Sequence, residues 1–150
     1  MKNGKGKEYD KGILRFEGEY LNDIRNGKGK EYYNNGTLHF EGEYLNEKIW
    51  NGKGYNIKGD EEFEIKDGNG HIKEYDYDGT LKYEGNYSKE KRNGKGKEYD
   101  YNGALLYEGD YSNGKWNGKG KEYDFGTLVY EGEYSRGKRK IKNMWSKWVN

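Results

Sequence analysis

Histidine and cysteine, two of the side chains most used for metal binding and for acid–base or nucleophilic chemistry, are scarce or absent in this 150-residue chain. The two histidines are His39 and His71, and there is no cysteine. A metal site would require a third ligand at suitable geometry, and the many glutamates give no sign of converging on either histidine. We therefore expect both histidines to be solvated surface groups and predict no metal site.

The serines and glycines also lack the arrangement that catalysis needs. A Ser-His-Asp or paired-carboxylate catalyst requires one unique constellation in a sheltered pocket. The Gly-x-Gly units do not form a Gly-x-Gly-x-x-Gly or Gly-Lys-Ser/Thr motif before a helix, so they predict no phosphate-binding loop. The sequence therefore predicts no enzyme activity and no cofactor. The four serines are Ser88, Ser112, Ser135 and Ser146.

Two short blocks repeat along the chain and must position everything else. Asn-Gly-Lys-Gly-Lys-Glu-Tyr occurs four times without change, and Leu-x-Phe/Tyr-Glu-Gly-x-Tyr follows in step five times, with a contracted copy near residues 51–67. Such self-similarity predicts about six stacked copies of one supersecondary unit, with function on an extended surface rather than in a single cleft. The first block occupies residues 3–9, 26–32, 93–99 and 117–123, and the second 14–20, 38–44, 81–87, 105–111 and 128–134.

The composition fits a thin ordered structure. Charged residues make up 37% of the chain, which by itself suggests disorder, but 17 tyrosines at regular spacing argue for order. Proline, which cannot donate to a β-ladder, is absent. The sequence shows no secretory signal and no apolar run long enough to cross a bilayer. The sequence does not determine the cellular compartment, and it leaves open whether an N-terminal leader was removed.

Within the second block, side chains two residues apart share one face of a strand. Leu38, Phe40 and Tyr44 therefore lie on one face, and Glu41 and Glu43 on the other. This alternation predicts an all-β fold, an antiparallel sheet with one aromatic and one polar face. The aromatic face is the candidate binding surface, formed by Phe16, Tyr20, Phe40, Tyr44, Tyr83, Tyr87, Tyr107, Tyr111, Tyr130 and Tyr134.

Glycine recurs in every copy of the second block, although it normally weakens a strand. We expect a ring from the adjacent strand to lie across each one, because a residue without Cβ can seat it. Asn-Gly and Asp-Gly pairs between the blocks supply the positive φ of tight hairpins. Each repeat is then a strand, a turn and a strand. The structural glycines are Gly18, Gly42, Gly85, Gly109 and Gly132.

Lysine recurs in the first block and could form a basic, aromatic-lined surface for nucleic acid. Glutamate is equally periodic in the second block, however, and would lie across the ladder from lysine. Cross-strand ion pairing on a solvated face explains this pattern more simply, so we predict no binding of nucleic acid.

The end of the chain differs from the repeats. Residues 136–150 carry six basic groups and no acid. Apolar residues at helical spacing predict that residues 138–150 form a basic amphipathic helix after a repeat array of residues 1–137. This helix would cover the last hairpin, which we favour, or lie on an anionic membrane. The apolar stripe of this helix comprises Ile141, Met144, Trp145, Trp148 and Val149. The candidate functional residues of the helix are Trp145, Trp148, Lys140 and Lys142.

The series Tyr-Glu-Gly-x-Tyr, a variable connection and Asn-Gly-x-Gly resembles the MORN repeat over about residues 3–137. Tyr stands where that family usually has Trp. The Lys-Glu-Tyr-Tyr and Gly-Thr-Leu-x-Tyr segments resemble the bacterial MORN variant often described as a toxin–antitoxin component. The resemblance implies an elongated, twisted, single-layer antiparallel sheet of tandem hairpins, and a role in scaffolding, dimerisation or membrane-lipid contact rather than a reaction.

We therefore expect a non-enzymatic scaffold whose tyrosine-rich face contacts a protein partner. Tyrosines held near fixed glycines make strong recognition surfaces because they lose little side-chain entropy on binding. The alternative is a surface-binding module, either for anionic membrane lipid through residues 138–150 or for cell-wall carbohydrate. The free edges of the sheet leave room for a homo-oligomer.

Overall fold

The computed structural model describes residues 1–141, which form thirteen β-strands and no helix. Consecutive strands pair antiparallel and are joined by short turns. The strands are β1 (Gly4–Asp10), β2 (Ile13–Leu21), β3 (Ile24–Tyr32), β4 (Leu38–Leu45), β5 (Lys48–Tyr55), β6 (Glu61–Ile65), β7 (Gly70–Tyr75), β8 (Leu81–Ser88), β9 (Lys91–Tyr99), β10 (Leu105–Ser112), β11 (Lys115–Asp124), β12 (Thr127–Ser135) and β13 (Lys138–Arg139).

The strands divide into two sheets, so the predicted single continuous sheet is wrong. Sheet 1 contains β1 to β6 and sheet 2 contains β7 to β13, each in sequence order. Between β6 and β7 the ladder shrinks to one bridge, Lys66 with Asn69, around a tight turn in which Asp67 and Gly68 both have positive φ. The all-β hairpin repeat that the sequence predicts is confirmed on both sides of this break.

The break coincides with a change of packing in the contracted copy. A row of glycines runs across each sheet, paired strand to strand, but Ile65 faces Gly52 and Ile72 faces Gly85 at the boundary. Both isoleucines are fully buried and belong to one apolar cluster. At the break, two branched side chains thus occupy the space that glycine leaves free across the rest of each sheet.

A side-chain amide joins one hairpin to the next at five places along the chain. The asparagine that opens the first block accepts, through Oδ1, a backbone N–H from the turn of the following hairpin. Asn26 accepts from the N–H of Asn46 at 3.0 Å, and Asn51 from that of Asp67 at 2.9 Å. Each of these bonds links two hairpins that follow one another in the sequence. The same bond is made by Asn3, Asn69 and Asn117.

The predicted C-terminal helix is wrong where the structure can be compared with it. Lys138 and Arg139 form β13, which pairs with Ser135 and Tyr134 of β12. The sequence spacing suggested a helix from about residue 139, but the backbone there continues the hairpin ladder. The remaining part of that prediction, with Lys142, Trp145 and Trp148, lies outside the described residues.

Candidate functional site

The aromatic rings pack onto the glycine rows. Phe16 contacts Gly29 of the next strand so closely that a Cβ on this glycine would lie 2.5 Å from Phe16 Cε1. Tyr107 lies equally close to Gly120, within 2.5 Å of where a Cβ would be. The sequence predicted that rings from the adjacent strand would pack on the second-block glycines. The rings of Phe16 and Tyr107 instead pack on first-block glycines of the adjacent strand. Glycine is required at these positions because the ring occupies the space of a side chain.

The second-block glycines mainly allow neighbouring backbones to approach. A Cβ on Gly18 would lie 2.5 Å from the carbonyl oxygen of Lys28, and one on Gly85 would lie 2.5 Å from Gly96 Cα. The ring two residues earlier on the same strand also borders most of these sites, as Tyr130 borders Gly132 at 2.5 Å. The other two structural glycines, Gly42 and Gly109, are bordered by backbone in the same way.

A second side chain covers the outer side of the first ring in four of the five second blocks. The guanidinium of Arg25 lies 4.2 Å from the centre of Phe16, and that of Arg92 lies 4.4 Å from Tyr83. Trp116 stacks flat on Tyr107, with ring centres 4.4 Å apart and planes 4° from parallel. The fourth such contact joins Arg139 to Tyr130 at 4.6 Å. We call these side chains the cover residues.

Because of this packing, the predicted aromatic surface is mostly interior. Eight of its ten rings are buried, with at most 6% of each exposed. Tyr87 and Tyr130 are partly exposed. The eight buried rings are Phe16, Tyr20, Phe40, Tyr44, Tyr83, Tyr107, Tyr111 and Tyr134.

Carboxylates on the aromatic face hold the cover residues in place. Arg25 donates from Nε to Glu8 at 2.8 Å, and Tyr20 donates its hydroxyl to the same carboxylate at 2.5 Å. The bond from Arg25 lowers the pKa of Glu8 against the opposing effect of burial. Sheet 2 repeats the arrangement: Arg92 donates to Glu74 at 2.9 Å and to Glu98 at 3.1 Å. These carboxylates and cover residues thus satisfy one another's hydrogen bonds and charges.

The cover residues have a signal in the sequence, although the alternation of the second block alone does not predict them. The residue directly before Asn-Gly-Lys-Gly is Arg or Trp in the four copies that begin at Asn26, Asn51, Asn93 and Asn117, and both side chains stack well on a ring. Trp50 holds this position in the contracted copy, but a shift of register after Glu43 pairs Tyr44 with Ile49 instead. Ile49 therefore packs on the core there, and the Trp50 ring lies against Gly68.

The opposite face carries alternating rungs of charge, one rung on each of eight strands. Lys-Gly-Lys in β3 presents Lys28 and Lys30, which pair with Glu43 and Glu41 of β4. The register confirms the predicted pairing of lysine with glutamate across strands. We call this surface the charged ladder. Its lysine rungs are residues 5–7, 28–30, 95–97 and 119–121, and its acidic rungs are residues 17–19, 41–43, 108–110 and 131–133.

The charged ladder lines two open grooves, each with glycine backbone along its floor. The groove of sheet 1 has a volume of about 730 Å³ and spans β1 to β4. The groove of sheet 2 has a volume of about 650 Å³ and spans β8 to β12, with His71 from β7 at one end. Ion pairs between rungs include Lys30 with Glu41 at 3.5 Å. The exposed polar surface of the repeats is therefore shaped as a pair of mixed-charge grooves.

The two histidines differ from each other. His71 is exposed, as predicted, and its Nδ1 lies 3.1 Å from Asn86 Oδ1. The expectation for His39 was wrong, since its ring is partly buried and stacked on Tyr33. Within residues 1–141 no group of three metal-binding side chains converges. No helix among those residues is long and apolar enough to cross a membrane.

Comparison with protein families gives two matches. The model described as the MORN repeat matches residues 16–38, 83–105, 107–124 and 130–140, half of the chain. The MORN repeat variant matches residues 68–89, the start of sheet 2. Residues 39–67, which contain the contracted copy, are matched by neither. A search of curated proteins found no match.

Proposed function

Because the chain belongs to the MORN repeat family, we propose that it is a non-enzymatic binding module that holds a protein partner on its charged ladder. Repeats of this family are commonly binding modules for proteins or membranes. The observation that carries the proposal is the contrast between the two faces. Eight of ten rings on the aromatic face are buried, whereas the grooves of the other face are open and built from repeated charged rungs.

The order of charges favours a mixed-charge partner. Along each groove a pair of like charges is followed, one strand or about 4.8 Å later, by a pair of the opposite sign. A uniformly anionic polymer such as nucleic acid would be repelled at every second rung. A polypeptide bearing both signs satisfies both kinds of rung, and complementary charge then provides specificity.

The shape of the grooves favours an extended segment of that partner. Each groove is open and runs across at least four strands, with glycine backbone along its floor. An extended chain lying along such a groove can place side chains against several rungs in turn. A toxin–antitoxin partner, implied by the resemblance to the bacterial variant, would be one protein of this kind.

Reversing one lysine rung is expected to abolish capture of the partner. In the variant with Lys119→Glu and Lys121→Glu, three consecutive strands of sheet 2 would carry negative rungs, since Glu108 and Glu131 flank this rung. We expect at least a tenfold loss of binding, the scale of a few mispaired charges. The measurement is recovery of proteins on the immobilised chain, quantified by mass spectrometry, at low and high salt.

The matched control reverses two lysines outside the grooves, Lys115→Glu and Lys138→Glu, which lie at exposed ends of strands. We expect a protein that binds the charged ladder to be retained by the parent and by this control variant. The same protein should be lost from the variant with the reversed lysine rung, and high salt should release it from the parent. Partners recovered equally by both variants would show that binding does not use the ladder.

A second candidate is contact with an anionic membrane through the basic end of the chain. It is favoured by the six basic and no acidic residues in 136–150 and by the exposure of Lys138 and Lys140. Co-sedimentation with vesicles of neutral or anionic lipid tests it. We expect removal of residues 140–150 to abolish binding to anionic vesicles if this candidate holds, with the parent's binding falling as salt rises. Equal sedimentation of the parent and the shortened chain with anionic vesicles would reject membrane contact through this segment.

A further inference from the structure

The two sheets meet beside the turn between β6 and β7, where Glu62 bonds Lys73 at 3.3 Å and Tyr75 at 2.8 Å, and they meet again at the turns after β3 and β7. The N–H of Asn34, in the turn after β3, donates to the carbonyl of Tyr77, in the turn after β7, at 2.8 Å. The Tyr77 hydroxyl donates to Glu31 at 3.3 Å, and the Arg15 guanidinium lies 4.5 Å from the Tyr77 ring centre. We call this contact between sheet 1 and sheet 2 the clasp.

Two residues of the clasp break the repeat pattern. Tyr33 follows the Lys-Glu-Tyr of the first block, where other copies have Asp or Asn, and His39 stands where the others have Arg, Glu, Lys, Leu or Val. Tyr33 is fully buried, and its hydroxyl donates to the Tyr55 carbonyl at 2.5 Å. These departures occur where one sheet touches the other.

His39 is enclosed by this contact. Its ring is stacked on Tyr33, with centres 4.2 Å apart, and meets the Tyr77 ring edge-on at 5.9 Å. Its Nδ1 is buried without a hydrogen-bond partner. A buried ring nitrogen with no partner favours the neutral imidazole, because protonation would place a charge where water cannot reach it.

The charged groups around His39 partly offset this effect of burial. Burial is the largest influence and lowers the pKa of His39, while Glu31 and Asp76 act in the opposite direction. The groups that face the site from the two sheets are Tyr33, Glu31 and Arg15 from sheet 1 and Tyr75, Asp76 and Tyr77 from sheet 2.

We propose that protonation of His39 opens the clasp, so that acidification releases sheet 1 from sheet 2 at this edge while each sheet stays folded. With the clasp closed the imidazole is neutral; with the clasp open it is solvated. The closed form is therefore fully favoured above about pH 6.5, the ordinary value for histidine. As the pH falls below that value, the opening constant rises by up to about tenfold per unit until the lowered pKa is reached.

Amide hydrogen exchange at Asn34 tests the proposal, because this N–H bonds across the clasp. The reference is the N–H of Glu47, which donates to the Arg25 carbonyl at 2.8 Å within sheet 1 and has no histidine in its contact. Between pH 7.5 and pH 5 we expect the protection factor of Asn34 to fall by about tenfold or more relative to that of Glu47. Equal pH dependence of the two amides would overturn the proposal.

His39→Phe keeps an aromatic ring on Tyr33 and removes the titration, so protection at Asn34 is expected to become independent of pH. Loss of protection on acidification in this variant would assign the effect to another group. If the variant does not fold, the test is an NMR titration of the His39 ring resonances in the parent protein. The exposed His71 serves as a reference in the same spectra. A midpoint for His39 below 6.5 is expected, and one at or above 6.5 contradicts the proposal. The proposal does not depend on the partner of the charged ladder.

Discussion

Gly42→Ala is expected to destabilise the protein by about 3 kcal/mol, the upper end of the range for overpacking. A Cβ at this position would lie 2.6 Å from Gly52 Cα and closer still to the carbonyl oxygen of Asn51. Both are backbone atoms of β5, so no side-chain rotation relieves the clash and the two strands must separate. Chemical denaturation followed by circular dichroism measures the change in the free energy of unfolding.

The matched control is Gly6→Ala, in the same glycine row but on β1. Its Cβ would meet the edge of the Tyr20 ring at 2.9 Å, and no backbone atom is among its closest contacts. Because a ring can shift by a few tenths of an ångström, we expect a loss below about 1 kcal/mol. If both variants unfold at the same denaturant concentration, backbone approach is not what requires glycine at Gly42.

Arg92→Ala is the substitution on the aromatic face with the largest expected effect. It would remove the counter-charge of Glu74 and Glu98 and uncover the face of Tyr83. Breaking a fully buried ion pair costs about 3–5 kcal/mol. We expect about 2 kcal/mol here, because 24% of the Arg92 side chain is exposed. The measurement is again the free energy of unfolding.

Arg92→Met separates the two contributions, since it keeps an apolar cover over Tyr83 and loses the charge. A loss close to that of Arg92→Ala would assign the effect to the unpaired carboxylates, and a small loss would assign it to the cover. The control Arg136→Ala lies in an exposed turn and should stay within about 0.5 kcal/mol of the parent. If Arg92→Ala does so too, the cover residues do not stabilise the fold.

The sequence predicted the local structure well because the local signals agree. Period-two alternation, Asn-Gly turns and the repeated Gly each favour the same hairpin, as in the alternation of Phe40 with Glu41. The pairing of lysine with glutamate followed from the same register. These are properties of one strand and its neighbour, and a repeated block specifies them at every copy.

What the sequence did not predict depends on contacts between elements. Whether a ring such as Tyr83 is exposed depends on what lies over it, and the cover by Arg92 depends on a register that shifts at β-bulges. The partial burial of His39 involves not only the nearby Tyr33 but also Tyr77, 38 positions away, on the other sheet. The strand at Lys138 was missed because helical spacing is a weak signal over so few residues.

The asparagine bonds between successive hairpins have a consequence for how such a chain changes over time. Since each bond reaches only the adjacent unit, gene duplication or loss of one whole unit of about 24 residues leaves the remaining junctions unchanged. The clasp is the exception, because it joins non-adjacent units and so fixes how many hairpins can lie between them. Array length is therefore free to vary at the ends and constrained in the middle.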